Sequence, residues 1–231
     1  RLRGPGADPL VREVVEAMTT NESFFFRDDK PFQHVRSEAL PRLIAARPPG
    51  STLRVWSAAA PSGQEAYSLA MLTQEARASL GDRRVEIIGT DIAREQLARA
   101  QTGIYSQFEI QRGLPMQMLV KYFQKAPPNW QVNDTIRRMV QFREWNLLDD
   151  LRPLGQFDIV FCRNVLIYFD LPTKTRVLDA IARQLRPDGM LYLGGAETVM
   201  GVSTKFAPMA NERGVYVRTP DVATRPRVAA G

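Results

Sequence analysis

Apolar and polar positions fall into two alternating kinds of run. Leu53-Arg54-Val55-Trp56, Val85-Glu86-Ile87-Ile88, Met139–Phe142, Phe157-Asp158-Ile159-Val160-Phe161-Cys162 and Met190–Leu193 are short, mostly apolar and bounded by turn residues, the pattern of strands buried in a sheet. Between them Gln64–Leu80, Ile92–Gln101 and Pro172–Leu185 carry apolar residues at helical spacing, and Gly81 stops the first. This alternation predicts an α/β fold built on a doubly wound sheet. Upstream, Asp8-Pro9 opens a short helix whose Leu10, Val14, Val15 and Met18 share a face, and Ser37 is expected to cap a helix through Ala46.

The segment Ile104–Phe142 departs from the alternation. Pro115 starts a short helix to Phe123, Lys125-Ala126-Pro127-Pro128 breaks it, and Trp130-Gln131-Val132 with Thr135–Phe142 flanks Asn133-Asp134 as a hairpin. A small β insertion is therefore expected. Lys205–Met209 and Gly214–Arg218, joined around Asn211, read as a closing antiparallel pair, and from Thr219 the polar tail is expected to be disordered.

The chain is organised around Leu53–Met71, where a buried strand passes through Ser57-Ala58-Ala59-Ala60, turns at Pro61-Ser62-Gly63 and enters a helix. In a doubly wound sheet such a turn faces a nucleotide-like ligand across the carboxyl ends of the strands. Gly63 is the only glycine in the turn, so the phosphate fingerprint is absent and a nucleoside without phosphates fits better. Asp91, at the end of the second strand, can accept hydrogen bonds from ribose hydroxyls, and it can equally cap the helix that follows. Asn21-Glu22-Ser23-Phe24-Phe25-Phe26-Arg27 sets a cation beside three aromatics, which read first as core.

With 231 residues and 44% hydrophobic content the chain can bury one large core, and it has no apolar run of the ~18 residues a membrane span needs. One cysteine, Cys162, and one histidine, His34, leave no Cys/His metal cluster and no disulfide within the chain, which fits a reducing, cytoplasmic setting. Cys162 reads as core and His34 as a surface or satisfied histidine. The net charge of +6 is concentrated between Gln111 and Glu144, where six basic residues meet two acidic ones. A solvated face or a dock for an acidic partner accounts for it, and no nucleic-acid motif is present.

The segments TTNESFFFR, VWSAAAPSGQEAYSLAM, TDIAREQLARAQTGIY, NLL and FDIVFCRNVLIYFD, in that order from Thr19 to Asp170, resemble the CheR-type chemotaxis receptor methyltransferases, and the resemblance runs on to about Arg218. It implies a Rossmann-like class I methyltransferase sheet with a small inserted β subdomain, S-adenosylmethionine as cofactor and S-adenosyl-L-homocysteine as its product. It also implies glutamyl methyl esters on the cytoplasmic helices of methyl-accepting chemoreceptors. By position it implies cofactor contacts at Asn21, Ser23, Arg27, Glu65, Asp91, Asn146, Leu147, Arg163 and Asn164, and places Arg27 and Tyr168 where the accepting glutamate is oriented. On this reading residues 19–218 form the methyltransferase domain, with the insertion in 104–142. Residues 1–18 are a remnant of the family's N-terminal helical domain, 219–231 are the tail, and the protein is a cytoplasmic monomer with no metal, no membrane insertion and no nucleic-acid partner.

Two departures stand out. The family reads T-G-E-E-P after the first strand, where this chain has Ser62-Gly63-Gln64-Glu65-Ala66, keeping the second glutamate but losing the first and the proline. The β insertion looks compact and is interrupted by Pro127-Pro128, which predicts a member that methylates receptors without gripping a C-terminal receptor pentapeptide on a strand edge. The missing glycine fingerprint argues against a nicotinamide oxidoreductase. The strand into Arg163-Asn164-Val165-Leu166 argues against the Asn/Asp-Pro-Pro-aromatic loop of amino methyltransferases, while a methyltransferase for another acceptor and a non-catalytic sensor or scaffold remain alternatives.

Overall fold

The computed structural model describes residues 22–220. The expected helix Asp8–Met18, Asn21 and most of the tail lie outside that range. The first described helix runs from Lys30–His34 through a π-helical turn, Val35–Ala39, into Leu40–Ala46. Its start is earlier than expected, because Pro31 suits a first turn and Phe32, Val35, Ala39, Leu40 and Leu43 are all buried. Ser37 lies inside it, its hydroxyl donating to the Gln33 carbonyl at 3.0 Å.

Ten strands follow: β1 (Thr52–Ala58), β2 (Arg84–Asp91), β3 (Ile104–Tyr105), β4 (Phe123–Ala126), β5 (Asn129–Val132), β6 (Val140–Glu144), β7 (Phe157–Cys162), β8 (Leu185–Leu193), β9 (Phe206–Pro208) and β10 (Val215–Arg218). Seven make one sheet in the order β6-β2-β1-β7-β8-β10-β9, parallel through β8 and antiparallel at β10 and β9. The chain leaves β1 for β2 on one side and later enters β7 on the other, so a crevice opens at the carboxyl ends of β1 and β7.

Apolar side chains from successive strand residues go to opposite faces. Val55, Ile159 and Phe161 meet Phe32, Leu43 and Leu69 on one side, while Trp56, Phe157 and Val160 meet Leu178 and Ile181 on the other. Each such side chain, fully buried, contributes about 1.5–3 kcal/mol. Coverage of both faces explains why these strands read as continuous apolar runs. Trp56 stacks on Phe157 at 5.3 Å between centroids and its Nε1 donates to Thr90 Oγ1 at 2.9 Å. Among the described residues no helix is long and apolar enough to cross a membrane.

The small sheet, ordered β3-β5-β4, is antiparallel. Its hairpin joins β4 to β5 with Pro127-Pro128 as the turn, so the expected pairing of Trp130–Val132 with Thr135–Phe142 does not occur. Asn133 instead caps a short helix, Asp134–Arg137, accepting from the Ile136 N–H at 3.1 Å, and β6 joins the large sheet beside β2. A proline lacks the N–H that a strand interior needs, but a two-residue turn does not use it. The small sheet is pinned to the large one where the Tyr105 hydroxyl donates to the Ser62 carbonyl at 2.7 Å. Gly63 is required there: its φ is +85°, and a Cβ would lie 2.9 Å from both Ala100 and Phe142.

His34 is buried, contrary to a surface placement, with Nδ1 2.8 Å from the Tyr192 hydroxyl and Nε2 without a partner among the described residues. Burial lowers its pKa from the ordinary 6.5, opposed by Glu212 and Glu38. A depressed folded-state pKa gives stability that is present above the unfolded value and lost as pH falls through the folded one. Resistance to denaturant should therefore fall below about pH 6.5, by at most ~1.4 kcal/mol per pH unit. The same pH profile in His34→Gln would assign that loss to another group.

Candidate functional site

The crevice holds a cavity of about 430 Å³. Its floor is the turn after β1, where Ala59 takes φ +58° and the chain enters the helix Gln64–Glu75. That helix is buried from Gln64 to Thr73, which brings Glu65 under the cavity. Glu65 accepts from the Ser57 hydroxyl at 2.7 Å through one carboxylate oxygen and from Arg163 Nη1 at 3.1 Å through the other. Burial pushes its pKa up, and Arg163 and Ser57 oppose the rise. Arg163, directly after β7, also donates through Nη2 to Asp28 at 2.5 Å.

Asp91 ends β2 and is buried beside the cavity. One oxygen accepts from the Ala93 N–H at 2.8 Å, which fixes the turn into the following helix, Arg94–Thr102, while the side chain lines the pocket; the N-cap itself is Ala93, so Asp91 is not the expected cap. Burial raises its pKa, with the backbone N–H groups of Ala93 and Ile92 opposing. Asn146 and Leu147 follow β6 on the next wall, Asn146 accepting from the Leu148 N–H at 2.9 Å.

The rim comes from two segments. Arg27 lies 5.4 Å from the Phe24 ring centroid and its Nη1 donates to the Glu22 carbonyl at 3.0 Å, while Phe25 and Phe26 turn into the core. The cation against an aromatic wall is thus realised on Phe24 alone, which Arg112 also covers, at 4.7 Å. Opposite, Asn164 takes φ +60° and Tyr168, 59% exposed, stands at the mouth.

All sequence-predicted site residues inside the described range line this one cavity: Ser23, Arg27, Glu65, Asp91, Asn146, Leu147, Arg163, Asn164 and Tyr168. Asn21 lies outside that range. Gln64 and Ala66, the departures from the family turn, do not line it. The Gln64 amide oxygen accepts from the Ser62 hydroxyl at 2.7 Å, and Ala66 is core. Cys162 is buried, with its thiol pushed well up by burial. The basic segment is partly neutralised by its own carboxylate, since Arg137 and Arg138 lie 3.2 and 3.8 Å from Asp134.

Sequence reasoning missed Asp28, the second partner of Arg163, Trp145 on the wall, and Glu197, whose carboxylate collects backbone N–H groups behind the rim. An acidic residue just past Gly194-Gly195 at the carboxyl end of β8 was the available signal for Glu197. The wall suits a ligand with one polar and one apolar part. Arg163 Nε and Trp145 Nε1 are buried donors without a partner among the described residues, while Pro61, Leu147, Val165 and Phe169 supply apolar surface.

Residues 21–215 match the family described as CheR methyltransferase, SAM binding domain. The chain is 42% identical over 210 residues to "Chemotaxis protein methyltransferase Cher2" of Pseudomonas putida, covering 89% of this chain and 76% of that protein. It is 43% identical over 213 residues to "Chemotaxis protein methyltransferase 1" of Pseudomonas aeruginosa, covering 90% and 77%. Among solved structures, a match at 16% identity and a TM-score of 0.39 is the glycopeptide N-methyltransferase MtfA complexed with S-adenosylmethionine, covering 78% of this chain and 65% of that one.

Proposed function

The chain belongs to the CheR methyltransferase family and uses S-adenosylmethionine, and we propose that it methylates glutamate side chains on the cytoplasmic helices of methyl-accepting chemoreceptors, leaving glutamyl methyl esters and S-adenosyl-L-homocysteine. The observation that carries this reading is the position of Arg27 and Tyr168 at one cavity whose interior holds Glu65 and Asp91. S-adenosylmethionine bound there supplies a methyl group on a positively charged sulfur. Ser23, Glu65, Asp91, Asn146, Leu147, Arg163 and Asn164 hold it, with Asn21 from beyond the described range and Arg27 shared with the acceptor.

A glutamate is already ionised near neutral pH, so the wall needs no general base. Arg27 and the Tyr168 hydroxyl hold the acceptor carboxylate in line, a positioning effect worth up to ~7–11 kcal/mol in the best cases. Leu147, Val165 and Phe169 keep water out, which favours a reaction that joins a cation and an anion into neutral products. The working state in this reading is a cytoplasmic monomer.

Docking without a receptor pentapeptide does not follow from a proline-broken strand edge. Pro127-Pro128 forms the hairpin turn instead of interrupting an edge, and β4 and the two-residue β3 are the outer strands. Tether-free docking rests now on the shortness of β4, four residues, with Arg138 and Arg143 exposed for an acidic helix.

Transfer of a labelled methyl group from S-adenosylmethionine to receptor-bearing membranes tests both proposals. Base-labile label should appear on the receptor, and at the same rate when its C-terminal pentapeptide is removed. Tyr168→Phe should keep cofactor affinity and lower turnover on the order of ten- to a hundredfold, the loss of one hydrogen bond to a charged group, whereas Arg27→Ala lowers both. Full activity in both variants overturns these roles, and no label on the receptor overturns the acceptor.

A further inference from the structure

Behind the cavity rim, the segment from Arg163 to Tyr168 is short, and the tight turn 166–168 contains two exposed apolar or aromatic side chains, Ile167 and Tyr168. Its conformation is costly, since Asn164 sits at φ +60°. Something outside the segment has to hold it. Glu197, 8% exposed, does so from the loop after β8. One oxygen of its carboxylate accepts from the N–H groups of Val165 at 3.0 Å, Leu166 at 2.7 Å and Ile167 at 3.3 Å. The other accepts from Asn164 at 2.8 Å and Gly194 at 2.7 Å. A carboxylate offers about four lone pairs and donates nothing, so five converging N–H groups saturate it.

Packing adds a second constraint. A Cβ on Gly194 would come within 2.8 Å of the Asn164 side chain, 2.9 Å of the Glu197 carboxylate and 3.0 Å of the Asn164 nitrogen. Gly194 therefore lets β8 approach closely enough for the carboxylate to reach every one of those N–H groups.

We propose that Glu197 is a positioning residue for methyl transfer: its carboxylate gathers the backbone N–H groups of residues 164–167 and so fixes Asn164 and Tyr168 at the cavity. The proposal rests on the reading of Tyr168 as an acceptor clamp. Glutamine has the same size but carries an N–H₂ donor where one carboxylate oxygen stood, so two or three of the gathered N–H groups lose their acceptor. The loop then samples other conformations while the sheet beneath it stays folded.

Amide hydrogen exchange and receptor methylation in the full chain test this together. In Glu197→Gln, exchange at Asn164 and Leu166 should accelerate about tenfold or more while the amides of β7 keep their protection. Turnover should fall about tenfold or more with the KM for receptor changed less than about threefold. Tyr168→Phe added to Glu197→Gln should then lower turnover by less than about twofold, because the hydroxyl is already misplaced. Gly194→Ala crowds both the Asn164 backbone and the Glu197 carboxylate while leaving the charge in place, so it should displace the same loop, and it decides the matter should Glu197→Gln not fold. Unchanged exchange at Asn164 and Leu166, or a double variant whose losses multiply in full, overturns the proposal. A wild-type chain that transfers no methyl group overturns the functional reading instead, and the exchange experiment separates the two failures.

Discussion

A folded Asp91→Ala variant is expected to bind S-adenosylmethionine and S-adenosyl-L-homocysteine about ten- to a hundredfold more weakly than the wild-type chain. Asp91 ends β2 with its carboxylate at the cavity wall, and only one of its oxygens is engaged by Ala93. The carboxylate, which the Ile92 N–H also stabilises, keeps lone pairs that the proposed site would offer to the cofactor's hydroxyls, and a hydrogen bond to a charged group is worth about 1.5–3 kcal/mol. Asp91→Asn separates the two jobs, since its carbonyl oxygen can still accept from Ala93 while the charge is gone. Calorimetry is the measurement. Unchanged affinity in Asp91→Ala would remove this residue from the site and leave it as the organiser of the next helix.

Asp158→Ala is expected to lower stability by about 3–5 kcal/mol, the usual cost of removing one partner from a buried ion pair. Asp158 is fully buried near the amino end of β7, where it accepts from Arg47 Nη2 at 2.6 Å and from the Arg54 backbone N–H at 2.8 Å. Arg186 lies 3.4 Å away and Asp188 shares Arg47 at 2.7 Å. Removing the carboxylate leaves three arginines sharing one aspartate and one glutamate, with the Arg54 N–H unpartnered at the same place. A melting temperature lower by on the order of 10 °C follows for a chain of this size. The cavity lies at the other end of β7, so cofactor affinity measured below the transition should not change. A variant as stable as the wild type would show that the network contributes little net free energy.

The contrast between these two aspartates marks how far the sequence could be read. Both stand in apolar strands. Asp91 was recognisable because it closes a strand next to a turn of small residues, a local pattern tied to ribose recognition. Asp158 stands in mid-run, and its partners Arg47, Arg54 and Arg186 are distant in the chain. Local pattern carries no signal for such a convergence. The same holds for Glu197, whose partners at 164–167 lie about thirty positions away. The hairpin was misread for a different reason: Pro127-Pro128 disfavours strand wherever it falls, and only the pairing of β4 with β5 reveals that it falls at the turn.

By itself, then, the order of residues determined which segments form strands and helices in the large sheet, that the sheet is doubly wound, and which short motifs meet at one cavity. Each of these depends on neighbours within a turn or a strand, and burial on both faces writes them as continuous apolar runs. Tertiary structure alone decided that Glu65 is locked between Ser57 and Arg163, that His34 is buried against Tyr192, that β5 pairs with β4 and β3, and that five N–H groups meet at Glu197. Those outcomes depend on groups brought together across the sheet, where the need to satisfy buried polar atoms selects one arrangement from the many that the local pattern would allow.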